Sequence, residues 1–306
     1  MSSKTSRWHA LHQAWTWGGP RLPPRPPAQP IHPLGMATVV KDEGRYLDEW
    51  IRFHSALGVS RFFIYDNGST DDTAQVLKPH IAAGRVTLIP WRHFDAFGNT
   101  QNQAYAHAVA NLGPLCSWIG FFDVDEFVFP LAGESLPGFL APRSHLPAIG
   151  VVGLFFGTSG HARPPAGGVV ENYTKAMSLE GQKASPKLLN IKCFVQPDRV
   201  LGARSAHYFD LIGTDVVAYS EHGAELRHFP RDQPERLTAD LIRYNHYFTR
   251  SQEEFDRKRV ASDVRGSRAR SQAEFRDRLF SVIESQAVPD TTIVPVVQRL
   301  REGSLL

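Results

Sequence analysis

Between residues 37 and 122, short apolar runs alternate with longer stretches whose apolar residues return every three or four positions, the mark of strands and helices taken in turn. Residues 37–40 predict a first strand; Leu47, Trp50, Ile51, His54 and Leu57 then share one helical face, and Gly58 supplies the stop. A second strand over 62–65 runs into Asp66-Asn67-Gly68-Ser69. Thr70 is placed to cap a helix with Asp71 and Asp72 in its first turn, at the positive end of the dipole, and Gly84 ends it. Residues 86–91 form a third strand, 99–112 a third helix closed by Gly113-Pro114, and 117–122 a fourth, apolar strand. This alternation predicts a doubly wound, mostly parallel α/β sheet, Rossmann-like in this half. In such sheets ligands sit beyond the carboxyl ends of the strands. Chemistry is therefore expected at Lys41-Asp42-Glu43, Asp66-Asn67 and Asp123-Val124-Asp125.

Past Pro130 the regularity fades into short strands near 149–156, 169–173 and 188–195, separated by Gly/Pro-rich loops that shape a substrate pocket. Ser251-x-x-Glu254 and Ser271-x-x-Glu274 each match a capping box and predict two late helices rich in Arg and Lys. Residues 18–34 carry repeated prolines, which remove backbone donors and favour extended geometry, so folding is expected to start near Met36. The expected organisation is a disordered segment over 1–34, a main domain over 35–260 and a helical extension over 261–306.

Composition narrows the function. The 34 Lys and Arg against 31 Asp and Glu leave a net charge of only +3, too small a surplus for nucleic acid to be the main partner. The only cysteines, Cys116 and Cys193, lie in apolar stretches and read as buried thiols of a reducing compartment. No run approaches the length of a membrane span, so a cytoplasmic protein is expected. Trp8, Trp15 and Trp17 beside basic residues leave room for peripheral contact with a membrane surface.

The segment Ser117-Trp-Ile-Gly-Phe-Phe-Asp-Val-Asp-Glu-Phe127 ends an apolar strand with two aspartates two residues apart. In extended chain such residues face the same side, about 6 to 7 Å apart, within reach of one cation. Carboxylate oxygens select Mg²⁺ or Mn²⁺, and these ions keep positions open for phosphate oxygens. An ion held there stabilises charge that builds on a diphosphate as its bond to a sugar breaks.

Several further motifs accompany the acidic pair: Val39-Val40-Lys41-Asp42-Glu43, Tyr46-Leu47-x-Glu49-Trp50-Ile51-x-x-His54, Tyr65-Asp66-Asn67-Gly68-Ser69-Thr70, Gly157-Thr158-Ser159-Gly160-His161, and His246-Tyr247 before Ser251-x-x-Glu254-Phe255. With them the chain resembles glycosyltransferase family 2-like proteins over about 36–258, and within these the family 92-like group. The resemblance implies a GT-A fold, a nucleoside-diphosphate sugar donor with UDP-sugar favoured, Mn²⁺ or Mg²⁺, and a saccharide acceptor, with inversion at the transferred sugar. It maps nucleotide contacts to Lys41, Glu43, Asp66 and Asn67, with Gln101 and Asp123 beside them; Asn99, Asn102 and Gln103 share the polar start of the third helix. A late histidine completes the metal or diphosphate site of many GT-A enzymes. His246 matches by position and His207 competes with it, so the metal set reads Asp123, Asp125 and one of these.

An inverting transfer also needs a base for the acceptor hydroxyl, and Glu171 and Glu126 are the candidates. The loop of Gly157, Thr158, Ser159 and His161 follows a strand and is a candidate for sugar contact. Two other readings compete. A metal-dependent nucleotidyl- or phosphotransferase would use the same acids, but no Gly-rich phosphate loop ending in Lys-Ser/Thr is present. A non-catalytic carbohydrate-binding relative would keep the sheet without turnover, and the intact acidic pair argues against it.

Overall fold

The computed structural model describes residues 30–92, 100–185, 188–263 and 267–302. The expected series of strands and helices opens the fold: β1 (His32–Val40), α1 (Gly44–Ala56), β2 (Arg61–Asp66), α2 (Thr73–Ala82), β3 (Val86–Pro90), α3 (Thr100–His107) and β4 (Cys116–Phe121). A π-type turn, Ala108–Leu112, continues α3. β1 pairs in parallel with β2 and β4, and β2 with β3, giving the order β3-β2-β1-β4.

Side chains alternate across these strands as a half-buried pleat requires. Leu34, Met36, Phe62 and Ile64 face one apolar cluster with α1 residues Leu47, Trp50 and Ile51, while Ala37, Phe63 and Tyr65 face another with Ala104, Tyr105 and Ala108. Helices thus cover both faces, as expected of a doubly wound sheet.

The second half adds β5 (Glu126–Pro130), α4 (Leu136–Leu140), β6 (Ala148–Phe155), α5 (Val169–Asn172), β7 (Lys175–Met177), α6 (Leu179–Lys183) and β8 (Ile191–Val195). Five short strands follow the last of these: β9 (Val200–Ala203), β10 (Phe209–Leu211), β11 (Val216–Tyr219), β12 (Glu225–Arg227) and β13 (Ile242–His246). α7 (Gln252–Asp263), α8 (Ser267–Gln286), β14 (Ala287–Pro289) and α9 (Val294–Glu302) close the chain. β8 runs antiparallel to both β4 and β6, carrying the sheet to ten strands and making this half mixed. β13 lies between β5, antiparallel, and β6, parallel.

β14 pairs with β7, and Ile293, Val296, Val297 and Leu300 around α9 enter the same cluster as Trp50. Among the described residues no helix is long and apolar enough to cross a membrane. Cys116 and Cys193 are buried free thiols.

Several local expectations are corrected. β1 begins at His32, inside the Pro-rich stretch, because His32 and Leu34 pair with Cys116 and Trp118, and sheet pairing outweighs the local preference of Pro33. Thr70 does not cap α2, which starts at Thr73. Its N–H and hydroxyl instead donate to the Asp42 carboxylate at 2.6 and 3.2 Å, lacing the loop after β2 to the loop after β1. The strand expected at 169–173 is helix α5. The Glu49 carboxylate accepts the Val169 and Val170 N–H groups at 2.7 and 3.3 Å, and this tertiary cap overrides two β-branched residues. α8 begins at Ser267, so Ser271 lies within the helix and not at its start. The other capping box is as expected: Ser251 N–H donates to Glu254 Oε2 at 3.1 Å, and Glu254 N–H to Ser251 Oγ at 3.4 Å. Asn99 and the three N-terminal tryptophans lie outside the described residues.

α1 fixes the strand that leaves the acidic cluster. Trp50 Nε1 donates to the Glu126 carbonyl at 2.9 Å. One turn on, fully buried His54 sets Nδ1 2.9 Å from the Trp50 carbonyl and accepts the Val128 N–H at Nε2, 3.1 Å away. That bond requires a neutral ring, and burial lowers the His54 pKa to about 3. The unfolded state therefore takes up a proton below about pH 6.5 that the folded state refuses. The stabilisation is complete above that pH and is lost as pH falls toward 3. In urea unfolding, the stability gap between the native chain and His54→Asn is expected to shrink by about 2 kcal/mol from pH 7 to pH 5. A gap independent of pH would contradict this.

Candidate active site

The polar ends of the parallel strands meet on one side of the molecule. Val40, Asp66 and Pro90 are in register, and Ala37 pairs with Phe121, so the loops after β1, β2 and β4 emerge together. Asn67 N–H donates to the Val40 carbonyl at 2.9 Å, and Asp66 Oδ1 accepts the Ser69 N–H at 2.9 Å. Lys41 is exposed. Glu43 is drawn sideways into an ion pair with Arg250 at 2.8 Å, whose guanidinium stacks 3.6 Å from the Tyr46 ring.

The acidic cluster is a turn, not the extended chain expected from its spacing. Glu126 N–H donates to the Asp123 carbonyl at 2.9 Å, reversing the chain between β4 and β5. The two aspartates consequently have separate partners. Asp123 Oδ1 accepts Gln101 Nε2 at 2.7 Å and Tyr105 OH at 3.3 Å, residues four apart on one face of α3; its Oδ2 meets Lys192 Nζ at 2.7 Å. Asp125 meets Lys258 Nζ at 3.0 Å and His246 Nε2 at 3.7 Å. Its carboxyl is held far below the ordinary range: burial opposes ionisation, and Lys258 with His246 and Arg250 overcomes it.

Glu126, 1% exposed, accepts the Asp123 N–H at 2.9 Å and pairs with Lys192 at 3.2 Å. Burial pushes its carboxyl well above the ordinary range against the pull of Lys192, while Lys192, equally buried, is held charged by Asp123 and Glu126. His246 arrives because β13 pairs with β5 at His246 opposite Glu126, and Phe155 stacks on its ring at 4.9 Å. Burial lowers its pKa to about 4, which leaves a neutral imidazole.

His207 occupies a neighbouring position. Its Nδ1 lies 3.1 Å from the Ile191 carbonyl, and burial lowers its pKa to about 4. Asn102 is buried and donates to the Arg204 carbonyl at 3.3 Å, away from Asp123; Gln103 is partly buried on the same helix.

The other candidates have partners of their own. Glu171 stands on α5 and is engaged by Arg301 of α9, on a cleft lined by Arg45, Glu49 and Arg52. In the 157–161 loop, Thr158 donates to Glu284 through both N–H and hydroxyl, Ser159 Oγ accepts the Thr174 and Lys175 N–H groups, and His161 Nε2 lies 3.2 Å from the Asn172 carbonyl. A Cβ on Gly157 would fall 2.5 Å from Glu284 Oε1. These bonds make the loop a brace for α8.

Lys192 and Lys258 join the site without having been among the expected residues. Lys192 was visible as the lone charge inside Leu-Leu-Asn-Ile-Lys-Cys-Phe-Val; Lys258, on a helix rich in charge, gave no such signal.

Asp125 and His246, 3.7 Å apart and neither completely buried, offer a carboxylate and a neutral imidazole of the kind Mg²⁺ or Mn²⁺ accepts, whereas Asp123 is turned to Gln101, Tyr105 and Lys192. Among the described residues, the only trio of His, Cys, Asp or Glu with ligand atoms mutually within 4.8 Å is Glu221, His222 and Asp240. There the Glu221 carboxylate is consumed by the Thr238 hydroxyl and the N–H groups of Asp240, Leu241 and Ile242.

A parallel sheet ordered β3-β2-β1-β4, with helices on both faces and polar loops past its strand ends, has the architecture of the GT-A fold. The chain belongs to glycosyltransferase family 92, whose family model matches residues 36–268.

A family 92 protein of Ricinus communis is 35% identical over 166 residues, 52% of this chain and 30% of that protein. An Arabidopsis thaliana member is 29% identical over 212 residues, 65% of this chain and 35% of its own length. The chain thus spans about a third of the length of the curated relatives it matches. A galactan beta-1,4-galactosyltransferase of Arabidopsis thaliana is 34% identical over 94 residues, 29% of this chain and 18% of that protein. Among solved structures, S. aureus TarS 1–349 aligns with a TM-score of 0.39 and 11% identity over 75% of this chain and 64% of that one.

Proposed function

We propose that this chain is a metal-dependent glycosyltransferase that moves a hexose from a nucleoside-diphosphate sugar, UDP-sugar first, to a saccharide hydroxyl with inversion. The observation that carries this reading is the Asp123–Glu126 turn, held beyond an inner parallel strand with His246 against it. Asp123, Asp125 and His246 would hold Mn²⁺ or Mg²⁺. When bound, that ion supplies Lewis-acid neutralisation of the leaving diphosphate.

The protein's own groups prepare the site. Gln101, Tyr105 and Lys192 fix the Asp123 carboxylate, and Lys258 keeps Asp125 ionised. Glu126 anchors the turn from beneath, which makes it a positioning residue. Asp66 and Asn67, at the same sheet end, are offered to the nucleoside. Kinship with galactan galactosyltransferases puts UDP-galactose first among donors to test.

A thermal-shift screen of UDP, GDP and UDP-sugars, with and without Mn²⁺, tests the reading. At a hundredfold excess over Kd, the preferred nucleotide with Mn²⁺ raises Tm by about 5 °C or more through mass action. No shift from any nucleotide would remove the donor site from the proposal.

A further inference from the structure

Beside the acidic turn, a cleft of about 340 Å³ opens between the 205–208 loop, the 229–231 segment and α8. Its walls combine ring faces with hydrogen-bonding groups: Tyr208, Phe229 and Phe275 on one count, Asn190, His207 and Arg231 on the other. Phe229 is 48% exposed and Phe275 44% exposed, two of the few large apolar side chains so open to solvent. Tyr208 meets Phe229 edge-on at 6.4 Å, and the Arg231 guanidinium lies 5.2 Å from the Phe229 ring. His228, immediately before Phe229, has φ 54, a left-handed conformation that a non-glycine residue holds only where its surroundings impose it.

The cleft borders the strand that carries Lys192: Ile191 and His207 both line it. The Ile191 carbonyl facing His207 Nδ1 belongs to the residue before Lys192, whose ammonium touches Asp123.

We propose that this cleft binds the acceptor saccharide, with the pyranose C–H faces on Phe229 and Phe275 and the sugar hydroxyls on Asn190 and Arg231. A pyranose is itself two-sided, apolar on its ring faces and polar at its rim, and exposed rings interleaved with polar groups match that division. A purely apolar ligand would leave Asn190 and Arg231 desolvated and unpaired. The assignment deepens the glycosyltransferase reading and rests on it.

Two measurements separate the assignment from that reading. The first is saturation-transfer NMR of the full chain, without nucleotide, against β-linked galacto-, gluco-, manno- and xylo-oligosaccharides. At least one is expected to bind, with Phe229→Ala and Phe275→Ala each weakening it about tenfold. Since both rings are exposed, these variants keep the core. The second is calorimetric titration of UDP with Mn²⁺ into the same variants, where affinity is expected to move less than twofold. Failure of every oligosaccharide to bind, or binding indifferent to both substitutions, overturns the acceptor assignment whether or not a donor is used. Loss of UDP affinity in Phe229→Ala overturns it too and gives the cleft to the nucleoside. Oligosaccharide binding that needs both rings, in a chain that binds no nucleotide, would support the cleft and sink the transferase reading.

Discussion

Asp125→Asn is expected to lower sugar transfer and donor hydrolysis by about a thousandfold, equivalent to about 4 kcal/mol of transition-state stabilisation. The substitution keeps the side-chain shape, so Tyr247 N–H still reaches the residue-125 carbonyl at 2.8 Å and the join to β13 survives. It removes the charge that Lys258 and His246 face, and with it a hard ligand for a divalent ion. Far-UV circular dichroism should be unchanged, and the affinity for Mn²⁺ in the presence of UDP should fall in parallel with the rate. A variant retaining more than a tenth of the native rate would show that Asp125 is not a ligand in the reaction.

Lys192→Met is expected to be the most destabilising single change at the site, by about 3 to 5 kcal/mol. The methionine fills similar volume but leaves Glu126 and part of Asp123 without their shared cation in a place where Glu126 is 1% exposed. Burial already disfavours ionised Glu126, so this carboxyl is expected to take up a proton once the ammonium is gone. Adding Glu126→Gln should therefore recover part of the loss, measured as a favourable coupling of at least about 1 kcal/mol in a double-mutant cycle. Equal and additive losses would mean that the two groups do not share an ion pair.

The first half of the fold was legible because each element there obeys a single rule. Leu47, Trp50 and Ile51 repeat at helical spacing and all reach the core; Phe62 to Tyr65 alternate between two clusters. Asp123, Asp125 and His246 were visible as chemistry at a strand end and as a late histidine; the structure sets His246 3.7 Å from Asp125 and turns Asp123 to Lys192 and α3. What escaped depends on partners distant in sequence. The conformation of 169–172 is decided by Glu49, 120 residues earlier, and that of the acidic turn by β5 pairing with β13. Local pattern contains neither fact. Glu43 illustrates the same limit from the other side: a polar residue after β1 looks like a ligand contact until Arg250 claims its carboxylate.

The match to the family model stops at residue 268, yet the shelter of the first helix does not. Ile293, Val296, Val297 and Leu300 lie against the cluster that contains Trp50 and Leu47, and 287–289 are stitched to the strand at 175–177. Trp50 is also the residue that grips the carbonyl of Glu126. Shortening the chain to the matched stretch would thus strip apolar cover from the very helix that steadies the acidic turn, so β14 and α9 act as a remote buttress for that end of the sheet.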